Sequence, residues 1–597
     1  MNKSIEEITK RIIERSAAGR KEYLEDMAAA SKSSRTRSDL ACGNLAHAFA
    51  ACGVEEKAQL SADVVPNLAI VSAYNDMLSA HKPYEEYPNQ IRQAARDSGA
   101  VAQFAGGVPA MCDGVTQGKP GMELSLLSRD VIALSTAIAL SHNMFDGIIC
   151  LGICDKIVPG MLIGALKFGH LPTIFIPGGP MESGITNDEK ARIREDYAKG
   201  EISREELLKG EMASYHSAGT CTFYGTANSN QMLMEIMGLH LPGSSFVNPD
   251  TDLRRALTAE SVKQLAKNTV QGNQIPLCEI IDEKTIVNGI VGLLATGGST
   301  NHTLHIVAIA KSAGITIEWQ DFSDLSALVP SITKVYPNGK ADINHFHAAG
   351  GMSSVMRTLL DHGLLHKDVQ TVVGRGLEKY ITEPSLVGDK VVFQEGPKTS
   401  LDSEVIRTVD NPFDAEGGIR VVNGNLGMAV VKVSAVSAKN RLIEAPAVIF
   451  EDQDDLIEAF KNKQLNKDFI AVVRYQGPRA NGMPELHKLT PTLSILQQNG
   501  FKVALVTDGR MSGASGKVPA AIHVSPEAIN GGIISLLQDG DLLKLDCNSG
   551  ELSCLNIEEV KQREFKHPTL NARGSGRELF NSMRQLLSSS ETGATIF

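Results

Sequence analysis

The sequence predicts an α/β protein, in which a large N-terminal doubly wound parallel-sheet domain precedes a smaller, β-rich, barrel-like C-terminal domain. At 597 residues the chain is too long for a single hydrophobic core. From about residue 65 to 370, short apolar strands alternate with helical segments, as in a parallel sheet with helices on both faces. Beyond about residue 420 the apolar segments are shorter and rich in Val and Ile, which is typical of a small barrel.

The individual elements follow in chain order. Ile5, Ile8 and Ile12 have helical spacing and predict a surface helix near the N-terminus. Apolar runs predict parallel strands at 67–72, 147–151 and 172–177, and barrel strands at 429–433, 447–450 and 469–473. Between about 374 and 420 the periodicity fades and Gly, Pro and Asp become frequent, which indicates the domain connection. We therefore predict domains at 1–380 and 381–597.

Charge and composition exclude several classes of protein. The net charge of -11 and pI near 5.8 argue against a nucleic-acid partner, because phosphate backbones need a basic face. The charged N-terminus lacks the apolar core of a signal peptide, and no apolar run is long enough to span a bilayer. Nine scattered cysteines do not resemble a secreted disulfide framework. We expect a cytoplasmic protein without a membrane partner.

The most informative segment is the loop Cys154-Asp155-Lys156, which follows the predicted strand 147–151. The carboxyl end of such a strand is where open α/β sheets bind ligands. Thiolate suits iron–sulfur clusters or zinc, whereas carboxylate suits magnesium or manganese. Pro159-Gly160 is predicted to open the helix that follows. The loop therefore predicts a site that serves two kinds of metal.

Several other loops share this composition of glycines, small hydroxyl residues and strong ligands. They lie at 74–76, 111–114, 219–228, 296–301, 482–485 and 507–513. Glycine lets the backbone approach a ligand closely. Together with the loop at 154–156 they make seven, and so many loops of one kind are hard to explain as turns alone.

The chain resembles the dehydratase family that joins dihydroxy-acid, sugar-acid and 6-phosphogluconate dehydratases. Residues 154–160 resemble the first family signature, and 505–513 followed by 523–527 resemble the second. The likeness covers nearly the whole chain. Segments 74–81, 111–118 and 479–487 look closest to the 6-phosphogluconate branch. The resemblance also suggests a homodimer.

The resemblance implies roles for particular residues. Cys154 and Cys221 match iron–sulfur ligands. Asp113, Asp155 and Glu485 match carboxylates that hold a divalent cation, Mg²⁺ or Mn²⁺, in two-iron relatives. Lys156 matches a catalytic lysine that can be carbamylated there, and Ser512 matches the proposed proton acceptor. The N-terminal domain would then carry the thiols, and the C-terminal domain would carry Glu485 and Ser512.

One position departs from the two-iron pattern. Where those relatives have a third cysteine, this chain has Ala80, which cannot bind iron. Cys112 and Cys42 are the thiols that could replace it. Cys112 is either a ligand, since Asp113 beside it belongs to the site, or a core cysteine at a strand end. For Cys42 we favour a place in the core. Loss of the two-iron ligand favours the four-iron cluster expected of the 6-phosphogluconate branch.

Other residues are better explained without a catalytic role. Cys150, Cys278, Cys547 and Cys554 lie in apolar surroundings and are predicted to be core residues. His345 and His347 resemble a metal motif, but we favour polar caps near a helix start. Asp508 and Arg510 are predicted to pair with each other.

A phosphate site is predicted near the C-terminus. Residues 571–577 precede a helical stretch, and free N–H groups at a helix start favour anions. We expect Arg573, Ser575 or Arg577 to contact a substrate phosphate, across a dimer interface. A solvated basic tail is the alternative.

The function implied by the resemblance is a hydro-lyase reaction of the Entner–Doudoroff pathway. Such an enzyme removes water from 6-phosphogluconate, with loss of the C2 proton and the C3 hydroxyl, and yields 2-keto-3-deoxy-6-phosphogluconate. A Lewis-acid iron would stabilise the leaving hydroxide, which is a poor leaving group. Two alternatives stay open. The enzyme could dehydrate a non-phosphorylated sugar acid or a 2,3-dihydroxy acid, or the protein could be a non-catalytic iron–sulfur sensor.

Overall fold

The structure is a computed structural model. It describes residues 1–33, 37, 39–61, 65–270, 273–434, 436–511, 517–568, 570 and 573–597.

The N-terminal part of the chain alternates strands and helices, as the sequence predicts. Its parallel strands are β1 (Asn67–Ser72), β2 (Val101–Gly107), β3 (Gly147–Leu151) and β4 (Thr173–Phe175). Its helices are α1 (Lys3–Ser33), α2 (Cys42–Ala50), α3 (Val54–Ser61), α4 (Tyr87–Asp97), α5 (Asp113–Thr116), α6 (Ser125–Leu140), α7 (Ile157–Leu166), α8 (Asn187–Lys199), α9 (Arg204–Ser214), α10 (Thr226–Ile236), α11 (Asp252–Asn268), α12 (Leu277–Ile280), α13 (Glu283–Thr296), α14 (His302–Ser312), α15 (Trp319–Ser326), α16 (Ile343–Ala348) and α17 (Gly351–Asp361).

The four strands form one parallel sheet in the order β2-β1-β3-β4. Every residue of β1 and β3 is buried, because helices cover the sheet, and α4, α6 and α11 contact its strands directly. From β1 the chain goes to one side of the sheet for β2 and returns to the other side for β3. That reversal is the topological switch point at which such sheets bind ligands.

The C-terminal part begins with an antiparallel hairpin that contacts α11 and then closes into a barrel. The hairpin consists of β5 (Thr382–Val387) and β6 (Lys390–Glu395). The later strands are β7 (Ile419–Gly424), β8 (Gly427–Lys432), β9 (Leu442–Phe450), β10 (Phe469–Val473), β11 (Val503–Thr507), β12 (Ala520–Ser525), β13 (Leu542–Asp546) and β14 (Glu551–Cys554). The accompanying helices are α18 (Gln453–Lys461), α19 (Pro478–Asn481), α20 (Leu489–Gln498), α21 (Ile557–Val560) and α22 (Asn581–Leu586).

The barrel strands follow the order β10-β11-β12-β8-β7-β14-β13-β9 and close on themselves. The predicted fold class, a parallel α/β sheet followed by a barrel-like β-rich part, is confirmed. The exact boundary at 380/381 stays a prediction.

Strand β10 joins the barrel to the rest of the molecule because both of its faces are buried. Ile470 and Val472 belong to the barrel interior, whereas Phe469, Ala471 and Val473 pack in the large core shared with the N-terminal part. Side chains alternate between the two faces of a strand, so one strand serves both cores.

The predictions for the isolated cysteines and histidines have mixed outcomes. Cys150, Cys278, Cys547 and Cys554 are buried, as predicted. The core placement of Cys42 is wrong: it is exposed, because α2 buries none of its residues. His345 has the predicted capping role, since its Nδ1 lies 2.7 Å from Asp342 Oδ1 at the start of α16.

Within the described residues, no helix combines the length and apolar character that a membrane span requires.

Candidate active site

Three cysteines approach each other at the carboxyl edge of the parallel sheet. Cys112 lies in the loop after β2, and Cys154 lies in the loop after β3. Cys221 precedes α10, in a segment that pairs with the loop after β4 through the Thr220 N–H to Gly179 O hydrogen bond of 3.0 Å. The family resemblance implies Cys154 and Cys221 as ligands and leaves Cys112 as a further candidate, and the structure brings all three thiols close together.

Electrostatics show how closely the three thiols interact. The Cys154 thiol hydrogen-bonds to the Cys112 sulfur and lowers the pKa of Cys112 to about 7. The same hydrogen bond, together with burial, raises the pKa of Cys154 well above its ordinary value. Burial raises the pKa of Cys221 to about 12, and Cys112 adds to that effect. A negative charge on one sulfur therefore changes the pKa of the other thiols. Metal binding requires such thiolates.

Cys154 has an unusual backbone conformation that the surrounding structure holds in place. Its φ of 75° lies in the left-handed region, which non-glycine residues adopt at a cost of about 1–3 kcal/mol. Asn230, on α10, donates from Nδ2 to the carbonyls of Cys154 and Asp155 at 2.9 and 2.8 Å. These two bonds fix the loop and direct the thiol and the neighbouring carboxylate into one site.

The position of the missing two-iron ligand lies beside the same site. Ala80 is buried, and the carbonyl of its neighbour Ser79 accepts a hydrogen bond of 2.8 Å from Gly219 N, two residues before Cys221. The segment that contains Ala80 is thus hydrogen-bonded to the segment that carries Cys221.

Next to the thiols lies a cluster of three carboxylates. One oxygen each of Asp113, Asp155 and Glu485 lies within 4.8 Å of the others. Burial, together with the charge of Asp113, raises the pKa of Glu485 to about 8. Burial opposes ionisation of Asp113 too, but Lys156 and Arg510 outweigh it and lower the pKa of that carboxyl. Oxygen ligands at this spacing fit a hard divalent cation.

Two buried cations neutralise these carboxylates. The Lys156 ammonium is fully buried and donates to Asp155 Oδ2 at 2.7 Å and to Asp113. Arg510 donates from Nη2 to Asp113 Oδ2 at 3.1 Å, and its Nη1 lies 3.4 Å from Asp155 Oδ2 and 3.5 Å from Glu485 Oε2. Arg510 therefore connects the β11 loop to the loops after β2 and β3.

The predicted pairing of Arg510 with Asp508 is wrong. The Asp508 carboxylate accepts backbone N–H groups of Tyr475, Gln476 and Ala528 at 2.9–3.2 Å. The carboxylate therefore ties the loop after β10 and the backbone at Ala528 to the end of β11. Arg510 turns the other way, into the carboxylate cluster.

Sequence reasoning missed two further contacts of the cluster. Ser125 Oγ, at the start of α6, donates to Asp113 Oδ1 at 2.5 Å. His305 Nε2, on α14, lies 3.3 Å from Asp155 Oδ1, and burial lowers the pKa of His305 to about 4. Neither residue lies in a loop with the glycine-rich composition, so no local signal in the sequence points to them.

The remaining predicted residues are only partly placed. Ser512 lies outside the described residues, although Arg510 is firmly held two positions before it. Arg577 donates from Nη1 to Glu123 Oε1 at 2.6 Å, two residues before Ser125. Arg573 and Ser575 are exposed. The C-terminal basic segment therefore touches the edge of the site through Glu123.

Comparisons with known proteins identify close relatives. Two family models match: dihydroxy-acid/6-phosphogluconate dehydratase N-terminal over 65–380, and its C-terminal counterpart over 404–594. The chain is 61% identical to the phosphogluconate dehydratase of Pseudomonas aeruginosa, over 100% of this chain and 99% of that protein. It is 58% identical to the phosphogluconate dehydratase of Escherichia coli K12, with the same coverage. Identity to the dihydroxy-acid dehydratase of Caldanaerobacter subterraneus is 35%, over 84% of this chain and 89% of that protein.

Proposed function

Because the chain belongs to the dihydroxy-acid/6-phosphogluconate dehydratase family, we propose that it is a hydro-lyase that dehydrates 6-phosphogluconate to 2-keto-3-deoxy-6-phosphogluconate. The observation that carries the substrate assignment is full-length identity of 61% and 58% to two phosphogluconate dehydratases, against 35% to a dihydroxy-acid dehydratase. Dehydration of 6-phosphogluconate is the defining step of the Entner–Doudoroff pathway.

Members of this family use iron–sulfur clusters, and the thiols of this chain fit one. Cys112, Cys154 and Cys221 come from three separate loops, are electrostatically linked, and include one thiol whose pKa is lowered to about 7 by its hydrogen bond from Cys154. Three thiolates leave one iron of a four-iron cluster without a protein ligand. When bound, such a cluster supplies a Lewis acid for the departing C3 hydroxyl. Ala80 disfavours the two-iron alternative, so we propose a 4Fe-4S cluster held by these three cysteines.

The carboxylate cluster is proposed to hold Mg²⁺ or Mn²⁺ through Asp113, Asp155 and Glu485. One oxygen of each carboxylate lies within 4.8 Å of the others, which supports this proposal. The raised pKa of Glu485 supports it too, because burial disfavours the isolated carboxylate anion. Lys156 lies between two of these carboxylates, where carbamylation would turn its ammonium into an oxygen ligand. Arg510 orients all three carboxylates and keeps their charge compensated.

The proton chemistry is assigned to the loop that follows β11. We propose that Ser512 accepts the C2 proton, two residues beyond the anchored Arg510. A serine hydroxyl is a weak base at its free pKa, so it needs neighbouring positive charge to favour the alkoxide. Arg510, two positions before Ser512 in the chain, and Lys156 are fully buried positive charges of the carboxylate cluster. Replacement of Ser512 by Ala should abolish turnover without loss of iron.

Further parts of the proposal concern location and assembly. We propose a cytoplasmic homodimer, and the contact of Arg573, Ser575 or Arg577 with the substrate phosphate stays a prediction. The hydrogen bond from Arg577 to Glu123, two residues before Ser125, supports a position of Arg577 at the edge of the site.

An anaerobic assay of purified protein with three substrates tests the function. 6-Phosphogluconate, gluconate and 2,3-dihydroxyisovalerate are offered separately, and the 2-keto acid product is measured. We expect kcat/KM for 6-phosphogluconate to exceed both others by at least a hundredfold. Preference for gluconate or the dihydroxy acid would favour the non-phosphorylated alternatives. A protein that binds iron and sulfide yet turns over none of the three would favour the sensor.

A further inference from the structure

The Asp155 carboxylate has contacts on both of its oxygens. Its Oδ2 accepts a hydrogen bond of 2.7 Å from the Lys156 ammonium and lies 3.4 Å from Arg510 Nη1. Its Oδ1 lies 3.3 Å from Nε2 of His305, which is on α14. Both Asp155 and His305 are buried, so water competes little for their contact. What His305 does for Asp155 depends on whether its Nε2 carries a proton.

Arg129, on α6, determines where the imidazole proton lies. Its Nη1 lies 3.4 Å from His305 Nδ1. A guanidinium has N–H donors and no acceptor, so the imidazole nitrogen that faces it has to accept. An imidazolium would place a second donor against the guanidinium, whereas a neutral imidazole has one donor nitrogen and one acceptor nitrogen. The proton of His305 is therefore on Nε2, and His305 donates to Asp155 Oδ1.

The Arg129 guanidinium is itself fixed by three different contacts. Its Nε donates to Asp130 Oδ1 at 2.9 Å, and its Nη2 donates to the Ala594 carbonyl at 2.7 Å, while Nη1 faces His305. Asp130 is held in turn, because its Oδ2 accepts hydrogen bonds from Thr595 Oγ1 at 3.0 Å and from the backbone N–H of the next residue at 2.8 Å. The C-terminal segment of the chain thus keeps the guanidinium in one orientation.

We propose that His305 is a positioning residue, which fixes Asp155 as an oriented anion by a hydrogen bond from Nε2, and that Arg129 imposes the tautomer that this bond requires. The inference rests on the proposed function and deepens it, because it names the residues that prepare one carboxylate for a divalent cation. A hydrogen bond donated to a carboxylate favours its ionised form, and such outer contacts raise metal affinity. His305 acts through Asp155 and not on the substrate.

Mn²⁺ binding to anaerobically prepared holoenzyme tests the role of His305. Free Mn²⁺ is followed by its electron paramagnetic resonance signal during titration of wild type, His305→Leu, His305→Gln and His302→Leu. His302 is the matched control, because it lies on the same helix, is also fully buried, and contacts the Ser229 hydroxyl at 2.7 Å instead of a carboxylate. The glutamine variant keeps a side-chain N–H donor in place of the Nε2 donor.

We expect His305→Leu to raise the Kd for Mn²⁺ about ten- to a hundredfold, the range for loss of an outer hydrogen bond to a metal ligand. His305→Gln and His302→Leu should remain within about threefold of wild type, because both keep a donor to Asp155. An unchanged Kd in His305→Leu would overturn the inference. So would an equal increase in His302→Leu, which would assign the effect to helix packing, or a glutamine variant as weak as the leucine variant.

A second measurement depends neither on turnover nor on a bound cation. Neutron diffraction from crystals of perdeuterated wild-type holoenzyme locates the deuterium atoms of the imidazole directly. We expect deuterium on Nε2 of His305 and none on Nδ1. Deuterium on Nδ1 would overturn the inference. If wild type binds no Mn²⁺, the proposed cation site fails, and the neutron result still decides whether Arg129 and His305 orient Asp155.

Discussion

Gly160 should be intolerant of even one added methyl group. It lies in α7, one turn after Lys156, where α7 packs against α6. A Cβ at this position would come 2.5 Å from the carbonyl oxygen of Arg129 and 2.9 Å from Ile132 Cβ. An ordinary contact begins near 3.4 Å, so the helices must separate by about 0.9 Å. Backbone atoms cannot rotate away, so the whole helix pair has to move.

The expected loss of stability follows from two opposing effects. Overpacking of a well-packed interior costs about 1–3 kcal/mol. Alanine gains about 0.5–1 kcal/mol over glycine inside a helix. The contact of 2.5 Å with a backbone oxygen puts the overpacking cost near the upper end of its range, so we expect Gly160→Ala to destabilise the protein by about 2 kcal/mol. Because α7 starts directly after Lys156, the same displacement should also reduce iron and sulfide retention.

Urea denaturation followed by circular dichroism measures the stability. Gly43→Ala is the matched control, because Gly43 also lies in a helix but has no atom within 4 Å of its added Cβ. The control should unfold at the wild-type midpoint or slightly above it. A Gly160→Ala protein as stable as wild type, with full iron content, would refute the close-packing argument.

Two further perturbations have defined outcomes. Asn230→Ala removes both hydrogen bonds that hold the left-handed Cys154 loop. We expect it to lower the free energy of unfolding by about 1–3 kcal/mol. The variant should also lose iron to a chelator faster than wild type does. Burial raises the pKa of Glu527 from 4.5 to about 8, so the folded state holds a proton that the unfolded chain has released. This group therefore weakens stability progressively as pH rises from about 4.5 to about 8. Glu527→Gln should lose less stability than wild type over that window, and parallel urea midpoints against pH would contradict this reasoning.

Local patterns in the sequence predicted the elements of the fold well. Apolar runs bounded by turn residues define β1 and β3 to the residue, since burial on both faces demands an uninterrupted apolar strand. The loop at 154–156 could be placed because it follows such a strand. The closing order of the barrel has no local signal, because it depends on pairing between strands far apart in the chain.

Without the family resemblance, which adds Asp113, Cys221 and Glu485, the sequence indicates the candidate site only where ligand types stand together. Cys154, Asp155 and Lys156 are consecutive in the chain, so their ligand types can be recognised from the sequence alone. Nearness in the chain favours an ion pair between Arg510 and Asp508. In the structure the Arg510 guanidinium instead lies 3.4 Å from the carboxylate of Asp155, which is more than 300 positions away. Ser125 lies at an ordinary helix start, and only the tertiary fold brings it to Asp113.

For Cys42, the local composition led to a wrong prediction of burial. Its alanine-rich surroundings suggest burial, but composition does not say which residues of a short helix face the core. Leu45, Ala48 and Phe49 pack partly against the core, whereas Cys42, the first residue of α2, is exposed.

The central claim is that three thiols, Cys112, Cys154 and Cys221, hold one iron–sulfur cluster. Its most direct test is the iron and acid-labile sulfide content of anaerobically purified wild type, Cys112→Ser and the exposed control Cys42→Ser, read together with their visible spectra. The account predicts close to four iron and four sulfide per chain in wild type and Cys42→Ser, and loss of most of both in Cys112→Ser. A complete, spectrally unchanged cluster in Cys112→Ser would contradict it.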